Sequence, residues 1–231
     1  MSPALLDADG KERLCVAIVI PCQDQVAARF AMDLTKLVGY MVAVRPDIRI
    51  LVYINKGTII PEQRHLLVRM ALQENPTHFL WLDSDMGFPK DALLRLLSHG
   101  EPIVGCNYAT RRQPVIPTAS VGSEDDLLFS DPDATELVEV ARAGMGCMLV
   151  DADIYRQIPA PWFALGFNRE ADGYAGEDIF FCDLMQRRGQ KVWVDPVLSR
   201  KLVHCGEFEY GLIHADITKE KYLEQQRAKE G

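Results

Sequence analysis

Cys15–Ile20 (CVAIVI) is a run of six apolar residues with no polar break. A strand with one face in water alternates polar and apolar residues. An unbroken, β-branched run is instead covered on both faces, the condition of a parallel strand sandwiched between helices. Pro21 ends the run, and Val26, Phe30, Leu34, Leu37 and Met41 then recur at helical spacing. Ile48–Ile54 (IRILVYI) predicts a second strand, closed by Asn55-Lys56-Gly57. Pro61 suits a helix's first turn, and Leu66, Leu67, Met70 and Ala71 supply that helix's apolar stripe until Asn75-Pro76 breaks it. Phe79–Leu82 (FLWL) reads as a third strand, Pro89–His99 as a helix stopped by Gly100, and Ile103–Cys106 as a fourth strand. Strand and helix in alternation predict an α/β, Rossmann-like fold: a mostly parallel central sheet with helices on both faces.

The second half is less regular. Gly, Pro and Asp punctuate 113–136, predicting short strands and a mobile loop. Leu137–Ala141 and Cys147–Val150 read as strands with Gly144-Met145-Gly146 between them, Ile179–Arg188 as a helix capped by Gly189, and Lys191–Asp195 as a strand. Asp216–Lys229 has the charge density of a solvated surface helix. With 231 residues and 48% hydrophobic content, the chain can bury one sizeable core, and 1–231 reads as a single domain.

No window approaches 18 uninterrupted apolar residues, and MSPALLDADGKERL lacks a basic segment followed by an apolar one. The expectation is a cytoplasmic protein, at most peripheral to a membrane and without an integral span. A net charge of -8 argues against broad contact with a phosphate backbone. Six cysteines are scattered without a CxxC pair, several inside apolar runs, as expected of buried reduced thiols.

The sharpest chemical feature is Asp83-Ser84-Asp85, directly after FLWL. A central strand delivers its C-terminal end to the crevice where open α/β sheets bind ligands. Two carboxylates there can present oxygens to Mg²⁺ or Mn²⁺ and leave coordination positions for diphosphate oxygens. The competing reading is that they cap the helix beginning at Pro89. A second feature is Gly173-Tyr174-Ala175-Gly176-Glu177-Asp178, where two acids follow a glycine-rich loop and open a helix. Acids there complement the helix dipole, and one can also serve as a general base for a hydroxyl nucleophile. The third is His204, between an apolar stretch and Gly206; His65, His78, His99 and His214 read as packed or surface residues.

An apolar strand followed by DSD, about 95 residues to GED at a helix start, and 26 more to a histidine resembles the GT-A glycosyltransferases, especially the family 2-like group. AIVIPCQDQ is similar to that fold's first nucleotide-binding strand, PEQRHLLVRMALQENPTHFLWL to the segment carrying an arginine about twenty residues before DxD, and GEDIFFCDLMQRRGQKVWVDP to its acceptor-side block. The short interval from first strand to DSD suggests a compact phage or bacterial variant. The resemblance implies a nucleotide-sugar-binding half over about 14–110, an irregular β-containing acceptor and catalytic half over about 111–206, and a tail helix over 207–231. It implies that Asp85, with Asp83 directly or through water, and His204 hold Mn²⁺ or Mg²⁺. Asp178 would be the base, with Glu177 its alternative or an acceptor-binding group. Pro21, Gln23, Arg64, Asp83, Ser84 and Gly146 would lie along the nucleotide sugar.

The donor implied is a nucleoside diphosphate sugar, UDP- or GDP-linked, and the expected transfer inverts the anomeric carbon. Where the family places an aspartate against the base, this chain has Asn55. Arg111 and Arg112 in NYATRRQP, with Tyr108, are candidates for gripping a phosphate of donor or acceptor. Trp162 suits core packing first and, second, an aromatic shelf. The acceptor expected is the hydroxyl of a saccharide or lipid-linked sugar, with a modified base of viral DNA as the alternative. Two further readings are a sugar nucleotidyltransferase, which would need a glycine-rich loop where Pro21-Cys22-Gln23-Asp24-Gln25 stands, and an inactive sugar-nucleotide-binding scaffold.

Overall fold

The uninterrupted apolar run forms β1 (Cys15–Cys22), buried at every position. The structure is a computed structural model that describes residues 13–111, 114–122, 126–168, 173–206 and 210–228. After β1 come α1 (Ala28–Val44), β2 (Arg49–Lys56), α2 (Ile60–Leu72), β3 (His78–Leu82), β4 (Met86–Gly87), α3 (Ala92–Ser98) and β5 (Ile103–Gly105). The second half adds β6 (Val138–Val140), β7 (Cys147–Asp151), α4 (Ala152–Gln157), β8 (Gly166–Asn168), β9 (Gly173–Ala175) and α5 (Glu177–Arg187). It ends with β10 (Val192–Val194), α6 (Pro196–Ser199), β11 (Val203–His204), β12 (Tyr210–Gly211) and α7 (Leu212–Arg227).

Seven strands form one sheet in the order β2-β1-β3-β7-β5-β10-β6. β1 pairs in parallel with β2 and β3, and β10 in parallel with β5. β7 runs antiparallel to β3 and β5, and β6 antiparallel to β10. Five of the seven strands therefore share one direction, as the alternation predicts, and β7 and β6 are reversed. Helices cover both faces. Ala17, Val19, Phe79 and Trp81 pack with Leu67 and Val68 of α2 and Phe181 of α5. Val16, Ile18, Leu80 and Leu82 face the other way, onto Phe30, Leu37 and Met41 of α1 and Leu93 and Leu96 of α3. Full burial of a side chain such as Phe79 or Leu80 contributes roughly 1.5–3 kcal/mol.

Several expectations are corrected. Among the described residues of 113–136 there is no regular strand, only isolated bridges such as Ala109 with Pro117 and Ser120 with Leu127. Asn107 organises this stretch instead, its Oδ1 accepting from the amides of Thr118 (3.0 Å) and Ala119 (3.1 Å). The tail helix starts at Leu212 rather than Asp216, and it is docked: Leu212 and Ala215 are buried, and Thr218 Oγ1 donates to Val115 O at 2.6 Å. No described helix is long and apolar enough to cross a membrane.

Candidate active site

The parallel strands β1, β3, β5 and β10 end along one edge of the sheet, where open α/β sheets place their ligands. Asp83 follows the last residue of β3, and its amide donates to Gly146 O at 3.0 Å just before β7. Every carbonyl of the Asp83-Ser84-Asp85 turn is then engaged, one within the turn and two by other segments. Met86 N donates to Asp83 O (3.0 Å), Ala27 N to Ser84 O (2.9 Å) and Cys205 N to Asp85 O (2.7 Å). The aspartates do not cap α3, because β4 intervenes and the residue preceding that helix is Asp91.

His204 reaches Asp85 through β4. In the small sheet β12-β11-β4, His204 pairs with Met86 and Val203 with Gly87. A Cβ on Gly87 would lie 2.5 Å from Val203 Cγ2, so the close approach of β11 requires glycine there. His204 Nδ1 is 3.0 Å from the carbonyl oxygen of Ala109, which can only accept, so Nδ1 carries the proton. Nε2 is thereby turned toward Asp85 Oδ1, 3.5 Å away. Arg111 closes the group, with Nη2 2.8 Å from Asp85 Oδ2 and Nη1 donating to Cys205 O at 3.0 Å. Burial works against ionisation of Asp85, but His204 and Arg111 outweigh it and hold its carboxyl below the usual range.

The second acidic motif meets the first through Arg64 of α2. Arg64 is 2% exposed; Nη2 donates to Asp83 Oδ1 and Nε to Glu177 Oε1, both at 2.9 Å. Its guanidinium lies 5.1 Å from the centre of the Trp81 ring, and Nη1 is buried with no acceptor among the described residues. Burial disfavours the charge, yet Asp83 and Glu177 overcome this and raise the pKa. Burial pushes the Asp83 carboxyl up despite Arg64. Asp178, in the first turn of α5, is pushed up to about 6, by burial first and then by Glu177, against a 2.8 Å hydrogen bond from Ile179 N. Tyr108 stands between the two ends. Its hydroxyl accepts from Gly146 N at 2.9 Å and its ring meets His204 edge-on at 5.5 Å. A Cβ on Gly146 would lie 2.7 Å from that hydroxyl.

A cavity of about 400 Å³ opens onto this edge. Pro21 and Gln23 form its β1 side, Asp83, Ser84 and Asp85 its floor, and Arg111 and His204 the far wall. Gly57, Thr58 and Gln63, which the sequence did not single out, form the β2–α2 side; Gln63 Oε1 also accepts from Cys22 N at 2.9 Å. For Gly57 and Thr58 the signal was their place in the loop after the second strand, a position facing any ligand on the sheet edge; Gln63, in the first turn of α2, carried none.

Of the expected site residues, Asn55, Arg64, Tyr108, Gly146, Trp162, Glu177 and Asp178 do not line this cavity; the two acids and Gly146 adjoin it through Arg64 and Asp83. Asn55 lies in β2 beside Pro21, outside the cavity wall, which begins two residues later at Gly57. Arg64 is beneath the cavity floor rather than on its surface. Tyr108 is 5% exposed and supports the Gly146 turn instead of facing the cavity. Trp162 is a core residue, its Nε1 donating to Ile158 O at 2.6 Å and its ring packed on Tyr155 and His65. Arg112 lies outside the described residues.

Among the described residues, no three His, Cys, Asp or Glu side chains converge on one point. Asp85 and His204 lie side by side, while Asp83, expected to join them, has Oδ1 taken by Arg64. The Asp85 carboxylate fits Mg²⁺ or Mn²⁺ of the kind held by one or two carboxylates and completed by substrate phosphates, and the imidazole is a less usual ligand for either ion. Fixing Nδ1 on a backbone carbonyl also leaves Nε2 as the nitrogen on the Asp85 side of the ring.

No protein-family description and no curated protein matches this chain. Among solved structures it resembles the A197 protein from STIV, with a TM-score of 0.55 and 16% identity over 84% of this chain and 87% of that one. That likeness concerns the fold. A glycosyltransferase involved in the glycosylation of the major capsid of PBCV-1 aligns at a TM-score of 0.35 and 14% identity, over 64% of this chain and 68% of that one. HddC from Yersinia pseudotuberculosis, complexed with GMP-PN, aligns at 0.34 and 10%, over 62% and 80%. These two are too distant to carry a functional argument.

Proposed function

We propose that this chain is a GT-A-type glycosyltransferase that moves a sugar from a nucleoside diphosphate sugar to a hydroxyl acceptor. The observation that carries the reading is the double hydrogen bond of buried Arg64 to Asp83 and Glu177, which fixes the DSD turn and the acidic start of α5 around one cation. A transferase needs these two functions side by side, one end receiving a diphosphate and the other activating a hydroxyl.

The cavity beside Asp83–Asp85 takes the nucleotide and diphosphate. Pro21, Gln23 and Thr58 lie along its length, and Arg111 offers a guanidinium to phosphate oxygens. Asp85 and His204 would hold Mg²⁺ or Mn²⁺, whose charge stabilises the departing diphosphate. Asp178 accepts the proton of the acceptor hydroxyl. The oxygen so freed bonds to the anomeric carbon, and the bond from that carbon to the diphosphate breaks, its electron pair leaving with the diphosphate. A base with a pKa near 6 is ionised at neutral pH and still basic enough to assist. Attack from the face opposite the leaving group inverts the centre. The acceptor is a saccharide or lipid-linked sugar; the net charge of -8 disfavours a DNA acceptor.

The test is a thermal-shift series with UDP-, GDP-, CMP- and dTDP-sugars, with and without Mn²⁺. One donor raises the melting temperature in a metal-dependent way; Asp85→Ala loses the shift, and Asp178→Asn keeps it while losing transfer. If no donor shifts the protein with Mn²⁺ present, the transferase reading falls; if a donor shifts it but no transfer follows, an inactive sugar-nucleotide-binding scaffold becomes the better account.

A further inference from the structure

β8 and β9 form a two-stranded hairpin that joins no other described strand. Phe167 and Tyr174 stand directly opposite each other in its register, with ring centroids 5.1 Å apart and planes 69° apart. Their exposure is inverted relative to what the hydrophobic effect selects. Phe167 is 52% exposed and Tyr174 76%, and Leu165, two residues before Phe167, is 55% exposed. Small Gly166, Gly173 and Ala175 are the partly covered positions. Alternation along a strand forces one set to face outward, and here the large apolar set does so. A cross-strand aromatic pair helps hold such a hairpin together, but that role calls for contact between the rings and leaves the outward exposure unexplained. Apolar side chains that are exposed and gathered together, as Phe167 and Tyr174 are, form the kind of surface that ligand sites use.

The hairpin's position says which ligand. β9 runs through Gly176 directly into Glu177 and Asp178, so Tyr174 is four residues from the proposed base. At about 3.3 Å per extended residue, its Cα is within about 14 Å of that of Asp178. We propose that Phe167 and Tyr174 form a stacking platform for the acceptor saccharide, holding the sugar unit adjacent to the one whose hydroxyl faces Asp178. With the planes 69° apart, only one ring can lie flat on a sugar. The more exposed Tyr174 ring takes the C–H face of a pyranose, Phe167 holds that ring in place from the facing strand, and the Tyr174 hydroxyl offers a hydrogen bond at the sugar's edge. This subsite rests on the transferase reading above. It also replaces Trp162, whose indole is in the core, as the aromatic shelf.

The experiment labels the full chain with 3-fluorotyrosine. It identifies the Tyr174 signal among seven tyrosines by its loss in Tyr174→Phe, and titrates with maltotriose, cellotriose, chitotriose and mannotriose. Stacking reads the C–H face more than the hydroxyl pattern, so the Tyr174 signal should shift saturably with at least one of them. Saturation-transfer spectra of that trisaccharide should show affinity weakened at least tenfold by Phe167→Ala and retained by Tyr174→Phe, which keeps the ring. Melting temperature and donor-induced thermal shift should be unchanged in both variants. If wild type binds donor but no trisaccharide moves the Tyr174 signal, or Phe167→Ala leaves the affinity intact, the platform is wrong and the transferase reading stands. If the signal instead moves with protein concentration alone, the face pairs two copies of the chain and the proposal falls. If wild type binds no nucleotide sugar, the transferase reading fails and the acceptor role with it.

Discussion

Arg64 Nη2 lies 2.9 Å from Asp83 Oδ1, beneath the floor of the cavity. The same guanidinium donates to Glu177 across 113 residues of chain. Removing one partner of a buried ion pair typically costs about 3–5 kcal/mol, because the remaining charges stay desolvated and unpaired. Arg64→Met should therefore lower the melting temperature by on the order of 10 °C, at about 2–4 °C per kcal/mol for a domain of this size. Arg64→Lys should recover only part of the loss, since a single ammonium cannot reproduce the fork that reaches both carboxylates. Calorimetry checks both. A melting temperature of Arg64→Met within 2 °C of the parent would remove the guanidinium from its structural role.

The approach of β11 to β4 gives a second prediction. Alanine at position 87 would place its Cβ 2.5 Å from Val203 Cγ2. Overpacking of this kind typically costs about 1–3 kcal/mol, and the strand that must yield carries His204. Gly87→Ala should be destabilised and should bind donor more weakly, and adding Val203→Ala should restore much of both. A double-mutant cycle measures the coupling, because contacting residues depart from additivity by about 0.5–3 kcal/mol. Additive effects of the two substitutions would mean that β11 does not depend on that contact.

How much of this was legible in the sequence depends on the length of the signal. CVAIVI and FLWL announced strands buried on both faces, and β1 and β3 are such strands. The reversed direction of β7 was not legible, because hydrophobic periodicity carries no information on strand polarity. Yet that reversal brings Gly146 beside Asp83. Two-residue strands such as β4 and β11 lie below any periodic signal, although their pairing sets His204 beside Asp85. The acids of the two motifs were singled out from their place after a strand and before a helix, and Arg64 through the family resemblance, which put it against the nucleotide. That it is instead buried between the two motifs depends on how α2 packs over Trp81, which only the tertiary structure specifies.

The cysteines provide a third test. All six are free and buried. Burial pushes the Cys182 thiol up to about 12 and holds that of Cys106 well above its usual value. Because the thiolate is the reactive form, neither should be alkylated by iodoacetamide at pH 8 in the folded protein, and all six should react in denaturant. Mass spectrometry of the native and unfolded samples counts the adducts. Rapid labelling of Cys106 or Cys182 in the native sample would contradict the packing of β5, β7 and α5.

Asp178 ties stability to catalysis. Its carboxyl titrates at about 6 in the folded chain against an ordinary 3.8. Between those values the native state holds a proton that the unfolded chain has released. The contribution of this group to stability is therefore greatest below about pH 4 and declines as pH rises through about 6. A shift of about 2 units corresponds to at most about 3 kcal/mol of cost at pH 7.5, less whatever solvent reaching this partly exposed group recovers. Asp178→Asn removes the ionisation and should melt several degrees higher than the parent at pH 7.5, with no comparable gain at pH 4.5. Transfer by the parent should rise about tenfold per pH unit below 6 and level off above it, and the asparagine variant should lose at least about 100-fold. Melting curves and transfer rates on the same two proteins from pH 4.5 to 8 settle the matter. A stabilised variant that still transfers at the parental rate would keep Asp178 as a strained carboxylate and move the base to Glu177.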